Sequence, residues 1–264
     1  MVKRCIRCFK RCFKNLKWLC QALVVRNRMN VKVVDQLDES ASYMVLIPHA
    51  DDEWIGCSQV IRKMKSVFFV DTNMDGGDSP SLHIERKGEL QMIASKFNRP
   101  LCILEKNKIE ELSQIVKNSS PDYILVPFFY DWHPEHIFVM DLLEQVLKKE
   151  NQEIKVLMYQ VSVPIGKKWV NRVMPMCREE LREKWNIFKA VYRTQLCIPY
   201  FRFAMHELVD GLYSKSFAAE VFVLMNAKDW VNLKTEVVAK ALKEKEQILT
   251  NLNDISKMRI MVDG

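Results

Sequence analysis

No acidic residue precedes Asp35. Over that same stretch stand Lys3, Arg4, Arg7, Lys10, Arg11, Lys14, Lys17, Arg26, Arg28 and Lys32, so a segment of one charge sign is joined to a nearly balanced remainder. Also missing is an uninterrupted apolar run near the roughly 18 to 20 residues that cross a bilayer, which argues against an integral membrane protein. Glycine and proline number only 7 and 9 in 264 residues, and no Pro/Gly linker, low-complexity tract or internal repeat divides the chain. No Gly-x-Gly-x-x-Gly follows the first strand-like segment, so a Rossmann-like order of elements carries no implication of a dinucleotide. Residues 18–25 are too short and interrupted for a secretory leader.

What is present is ordinary for a globular chain, 48% hydrophobic and 28% charged, and long enough to bury the core of one α/β domain. The formal net charge of +7 points to an anionic surface met by the basic segment and not by the domain. The expected division is a basic amphipathic segment over residues 1–34 and a single domain over 35–264. Eight cysteines are scattered among unrelated elements, so buried free thiols in a reducing, cytoplasmic compartment fit better than a disulfide framework. Cys5, Cys8, Cys12 and Cys20 match no zinc spacing and follow helical apolar positions instead.

Residues 2–25 place Val2, Cys5, Ile6, Phe9, Cys12, Phe13, Leu16, Leu19, Cys20 and Leu23 on one stripe with Lys and Arg opposite, an amphipathic helix. Three roles are open to it: an interfacial membrane anchor, a nucleic-acid contact, or packing on its own domain. Phe residues and Trp18 beside cations favour an anionic membrane surface at the cytoplasmic face. Phosphate binding alone needs no wide apolar face, so no specific nucleic acid is expected.

The chain is organised around residues 43–58. Five apolar residues up to Ile47 predict a strand buried on both faces, and Pro48 ends its pairing just before His49, Asp51, Asp52 and Glu53 arrive. From Trp54 the pattern turns helical, which puts the acids at a strand-to-helix turn, where open α/β sheets bind ligands. His49 and Asp52 are close enough to converge on one divalent ion, and a third ligand must come from elsewhere. The second apolar run, residues 123–127, leads into Asp131-Trp132-His133-Pro134-Glu135-His136. His49, Asp52 and His136 would leave an open position for water, the catalytic pattern for zinc. Acids at a helix start also offset the macrodipole, the bland alternative for Asp51 to Glu53.

Strand and helix patterns then alternate. Strands are expected at 66–70, 100–104, 123–127, 154–163 and 217–225, with 168–174 as an extra one; helices at 83–97, 108–118, 134–150, 179–191, 200–213 and 234–249. Right-handed crossovers would build a Rossmann-like three-layer α/β fold with a mostly parallel sheet. The loop over 72–82, with Gly76, Gly77 and Pro80, can turn tightly over the sheet edge and is a candidate substrate loop. Arg86 and Glu89 share a helix face, which is compatible with a solvated ion pair. His206 among Phe203 and Leu208 is expected to be a packed side chain.

In Pro48-His49-Ala50-Asp51-Asp52-Glu53, Ile55-Gly56-Cys57 and His133-Pro134-Glu135-His136 the chain resembles the PIG-L/LmbE-type zinc-dependent N-acetylglucosaminyl deacetylase family. The resemblance extends to Asp75-Gly76-Gly77, Arg86-x-x-Glu89, Tyr192-x-x-Gln195 and Ala219-Glu220-Val221-Phe222, spanning about residues 43–222 in order. Glu135 departs from the more usual Asp. The resemblance implies hydrolysis of an acetamide on an N-acetylglucosamine-type glycoconjugate at one zinc ion. Asp51, beside a ligand and not needed as one, is the expected proton acceptor, and His133 the expected stabiliser of the oxyanion or proton donor to the amine. Arg86, with Asp75 and Gly76, is the expected sugar contact. The rival readings are hydrolysis of another amide or of a phosphoester, and a non-catalytic peripheral membrane adaptor.

Overall fold

The computed structural model describes residues 2–74, 77–149 and 154–263, with side chains at Phe9 and from Arg11 onward. Helix α1 (Val2–Arg28) is followed by the short strand β1 (Asp35–Gln36) and by β2 (Ser42–Ile47). Helix α2 (Asp52–Lys63), β3 (Ser66–Asp71), α3 (Pro80–Lys96), β4 (Leu101–Ile103), α4 (Lys108–Ser119), β5 (Tyr123–Pro127) and α5 (Pro134–Lys149) then alternate. The second half runs β6 (Lys155–Tyr159), β7 (Arg172–Met176), α6 (Arg178–Val191), α7 (Tyr200–Asp210), β8 (Ala218–Asn226), α8 (Ala227–Lys243), α9 (Lys245–Asn251) and α10 (Ile255–Asp263).

The strands form one eight-stranded sheet in the order β1-β7-β8-β6-β5-β2-β3-β4. Every neighbouring pair is parallel except those of β8, which runs antiparallel between β6 and β7. Burial explains the apolar runs. Tyr43, Val45 and Ile47 of β2 enter one core with Trp54, Leu90, Trp185 and Phe203, while Met44 and Leu46 enter the other with Leu112, Met140 and Trp230. Alternate side chains of one strand thus meet helices on opposite faces. From β2 the chain proceeds outward through β3 to β4, then returns to place β5 on the other flank of β2. The connections leaving β2 and β5 diverge, and the crevice between them is the switch point of the sheet.

Several element limits differ from the sequence expectations for local reasons. Helix α3 starts at Pro80 and not at residue 83, because the Ser79 hydroxyl accepts from the Leu82 N–H and Pro tolerates the first helical position. The extra strand lies at Arg172–Met176, later than expected, and the segment after residue 250 adds α10. Cysteines differ too: of the six described free thiols, Cys57 is buried and Cys12, Cys20, Cys102, Cys177 and Cys197 are exposed.

Helix α1 divides its apolar surface. Trp18 and Ala22 are buried against the domain, and the Trp18 indole N–H donates to the Asn253 carbonyl at 2.9 Å. Arg26 donates to the carbonyls of Ser216 at 2.8 Å and Phe217 at 2.9 Å, and also to that of Leu208. At about 100° per residue, Trp18 stands about 180° from Phe9 on the helix. The apolar stripe therefore faces away from Trp18, leaving Phe9 and Phe13 73% and 67% exposed with Leu16 and Leu23 beside them. No helix among the described residues is long and apolar enough to cross a membrane.

Candidate metal centre

The site grows out of the end of β2. After Pro48 and His49 the chain turns at Asp51, whose φ of 131° and ψ of −31° lie where glycine is at ease and other residues are strained. The turn is held by its neighbours: the Asp51 N–H donates to Glu53 at 2.9 Å, and its carbonyl accepts from Trp54 at 3.0 Å and Ile55 at 2.8 Å. Glu53 in turn accepts from the Tyr192 hydroxyl. This geometry swings Asp52 back over His49, whose backbone N–H donates to Asp52 Oδ2 at 3.1 Å.

Asp52 Oδ2 is the meeting point. His49 Nδ1 lies 3.2 Å from it and His136 Nε2 3.1 Å from it. Ligands about 2.0 to 2.1 Å from a tetrahedral zinc stand roughly 3.3 Å apart, so these separations suit a shared ion. His133, from the same turn as His136, approaches on the remaining side. Its ring lies 4.9 Å from both other imidazoles, and ligand atoms of His49, His133 and His136 fall within 4.8 Å of one another. His133 Nδ1 is buried without a hydrogen-bond partner, a donor atom in want of a ligand. The set formed by His49, Asp52 and His136, two imidazoles and one carboxylate with His133 on the open side, fits a divalent transition metal.

The second layer was not assigned from the sequence. Asp131 Oδ2 lies 3.0 Å from His136 Nδ1, and the same carboxylate accepts from the backbone N–H groups of His133 and Ser162, each at 3.1 Å. A carboxylate behind a ligating histidine fixes its tautomer and ring orientation. Glu135 reaches His49 Nε2, an interaction its extra methylene relative to Asp makes accessible. Asp131 stands in the quoted motif, and its position two residues before His133 is the only signal of this role.

Electrostatics separate the carboxylates. Burial raises the pKa of Asp51 well above its ordinary value, and the charges of Asp52 and Glu53 push the same way. Burial also raises Glu53, to about 7, against the opposing Tyr192 hydrogen bond. Asp52 is buried too, yet the His136 charge and the hydrogen bonds from His136 and His49 outweigh burial and lower its pKa. The charges of Asp131 and Asp52, with their hydrogen bonds, raise the pKa of His136 well above its ordinary value despite burial. Burial, then the charges of His136 and His49, lower His133 to about 4 and keep it neutral.

The residues open on a cleft of about 280 Å³ whose far wall includes Ser162, Gln195, Arg202 and Phe203. Larger concavities of about 480 to 560 Å³ lie elsewhere, without a comparable cluster of metal-ligating atoms. Arg86 lines the cleft, pairing with Asp78 at 2.6 Å and, with the Gln195 amide turned so that its oxygen accepts, with Gln195 at 2.9 and 3.1 Å. Glu89, for which a solvated ion pair with Arg86 was one reading, is buried and accepts from Thr194 N–H and hydroxyl at 2.8 and 2.6 Å. Asp75 and Gly76 lie outside the described residues. His206 is buried away from the cluster, and burial lowers its pKa.

No family model matches the chain, and no curated protein matches it by sequence. Solved structures match its fold. Over 72% of this chain and 86% of the other it is similar to an N,N'-diacetylchitobiose deacetylase from Pyrococcus horikoshii bound to its inhibitor, with 16% identity and a TM-score of 0.58. A conserved protein from Thermus thermophilus matches over 69% and 94% at 18% identity and a TM-score of 0.56. The zinc-inhibited form of a teicoplanin deacetylase matches over 71% and 99% at 11% identity and 0.54.

Proposed function

We propose that this chain is a zinc-dependent hydrolase that removes the acetyl group from an N-acetylglucosamine-type glycoconjugate, and that it belongs with the PIG-L/LmbE-type deacetylases its motifs resemble. The observation that carries this reading is the convergence of His49, Asp52 and His136 at the sheet's switch point, with the buried Asp51 carboxylate beside them. The fold shared with two deacetylases agrees with it.

His49, Asp52 and His136 would hold the ion, which when bound supplies a polarising charge for the acetyl carbonyl and a water acidic enough to attack at neutral pH. Asp51 takes the proton released by that water. Its raised pKa suits both acceptance and later return of the proton to the departing amine. Neutral His133 donates a hydrogen bond to the oxygen that gains negative charge. Asp131 and Glu135 orient the His136 and His49 rings. Arg86, already fixed by Asp78 and Gln195, presents its remaining donors to sugar hydroxyls, with Asp75 and Gly76 as the further sugar contacts of the same proposal. The decisive experiment incubates purified protein with lipid-linked, polymeric and small N-acetylglucosamine conjugates and assays acetate. Zinc-dependent release from at least one is expected; zinc binding with hydrolysis of another amide or a phosphoester only, or with no turnover, would overturn it.

On the same proposal residues 1–34 dock the domain formed by 35–264 on an anionic membrane surface at the cytoplasmic face. Support comes from the line Phe9, Phe13, Leu16 and Leu23 projecting from the side of α1 opposite Trp18, with exposed Lys17 and Arg28 along its flank. Arg11, on the inward side of α1, bonds the Tyr200 hydroxyl at 3.1 Å, next to the cleft residues Pro199, Arg202 and Phe203, so the helix itself passes near the cleft. Phe9→Ser with Phe13→Ser should abolish co-sedimentation with phosphatidylserine vesicles and leave turnover of a soluble conjugate within about twofold. Undiminished vesicle binding by that variant would remove α1 as the contact.

A further inference from the structure

Helix α2 is not continuous. Cys57, inside it, has φ −132° and ψ 19°, outside helical values. The kink lets the helix settle on the end of β6: a Cβ at Gly56 would run into the Tyr159 ring and lie 2.8 Å from the Gln160 carbonyl oxygen. In a regular helix the Gln59 N–H and the Ile55 carbonyl are hydrogen-bond partners, four residues apart across this point. Here each meets a buried charge. The Gln59 N–H donates to Glu220 Oε2 at 2.9 Å, and the Ile55 carbonyl accepts from the Lys184 ammonium at 2.6 Å. Lys184 and Glu220 pair with each other at 2.7 Å, so an ion pair bridges the two backbone groups.

The bridge is tied outward on every side. The Ser58 hydroxyl donates to Glu220 at 2.6 Å, and Lys184 gives its third donor to Glu207 of α7, which also accepts from the Trp185 indole at 2.9 Å. The Trp54 indole N–H returns to the Lys184 carbonyl at 2.9 Å. A buried ion pair is often no more stabilising than an apolar pair of the same size. An apolar pair, however, would leave the Gln59 N–H and Ile55 carbonyl without these partners, and buried backbone groups seldom go unpaired. One turn toward the N-terminus from this bridge stand Asp51 and Asp52, whose backbone angle to the sheet follows the setting of the kink.

We infer that Lys184 and Glu220 are positioning residues that set the kink in α2, and through it the placement of Asp51 and Asp52 against the imidazoles. The inference rests on the deacetylase reading for its kinetic consequence but not for its structural one. Misplacement of a reacting group by about 1 Å can lower a rate about 100-fold.

The test uses the full chain carrying Glu220→Gln, which removes the charge at constant shape, and Glu220→Asp, which keeps the charge and shortens the reach. Both are measured for hydrogen–deuterium exchange of peptides covering residues 51–63, zinc affinity by chelator competition, and steady-state acetate release. In Glu220→Gln, exchange over 51–63 is expected to quicken at least about tenfold while strands β2 and β5 stay protected. Zinc affinity should weaken about tenfold, and kcat should fall about 10- to 100-fold with KM within about twofold. Glu220→Asp should move the same quantities in the same direction. Full recovery of zinc affinity and kcat in Glu220→Asp would overturn the inference, since the pair would then serve as charge compensation only. Unfolding of both variants would overturn it as well, because the pair would then be a condition of the fold and not of the setting of α2. If wild-type protein releases acetate from no conjugate, the deacetylase reading fails, and exchange over 51–63 still decides this one.

Discussion

Helix α2 carries two buried charge clusters about one turn apart, built on opposite plans. Around Lys184 every donor has an acceptor: its three N–H bonds reach Ile55, Glu207 and Glu220, and the two carboxylates take further bonds from Ser58, Gln59 and Trp185. Around Asp52 the groups converge but are not exhausted. His133 Nδ1 has no partner, and the cluster opens on a cleft. A satisfied buried cluster fixes geometry, whereas one with spare ligand atoms and displaced pKa values is prepared for something that arrives. Proximity of charges alone would not have told the two apart.

The sharpest way to break the comparison is Asp51→Asn. Turnover is expected to fall about 100- to 10,000-fold, with zinc content and urea midpoint unchanged, because a proton acceptor is lost and no ligand or packing contact is. Loss of zinc in this variant would move Asp51 into the ligand set. Next in size is Lys184→Met, which strands two buried carboxylates and should cost about 3 to 5 kcal/mol in urea unfolding. A loss below about 1 kcal/mol would show that the Lys184 cluster is not the closed one described. The smallest effect belongs to Asp131→Asn, which keeps the shape behind His136 and removes its charge. Zinc affinity should weaken about 10- to 100-fold by chelator competition, with the fold intact by circular dichroism. An unchanged affinity would place Asp131 among structural hydrogen bonds only.

The side chains that converge at the candidate centre were legible because they are written in two short runs, 49–52 and 133–136, each directly after an apolar strand. The alternation of strands and helices gave the sheet for the same reason, since local periodicity reports burial. It does not report pairing, so the antiparallel entry of β8 between β6 and β7 could not be read. Nor could the bridge at α2, where Ser58 meets a carboxylate 162 positions away. For α1, periodicity identified a helix but not which side would find a partner. The N–H of Trp18 and the guanidinium of Arg26 decided that, by reaching carbonyls far along the chain. The expectation of mostly buried thiols failed because small apolar-like residues were counted by type and not by position; Cys12 and Cys20 lie on the outward side of α1.

The bond from Trp18 to Asn253 joins positions separated by 235 residues, and that distance along the chain bears on the order of folding. Contacts so remote form only after the intervening chain has been brought together, because the entropy of closing the loop must be met first. Strands β2 to β6 pair across shorter stretches of chain, while α1 has no seat until α7 and the segment around Asn253 are in place. During that interval both apolar sides of the helix are bare. The segment offered here as a membrane contact is thus also the one most in need of a surface before the domain is finished, and a bilayer available early would hold it out of the way of aggregation.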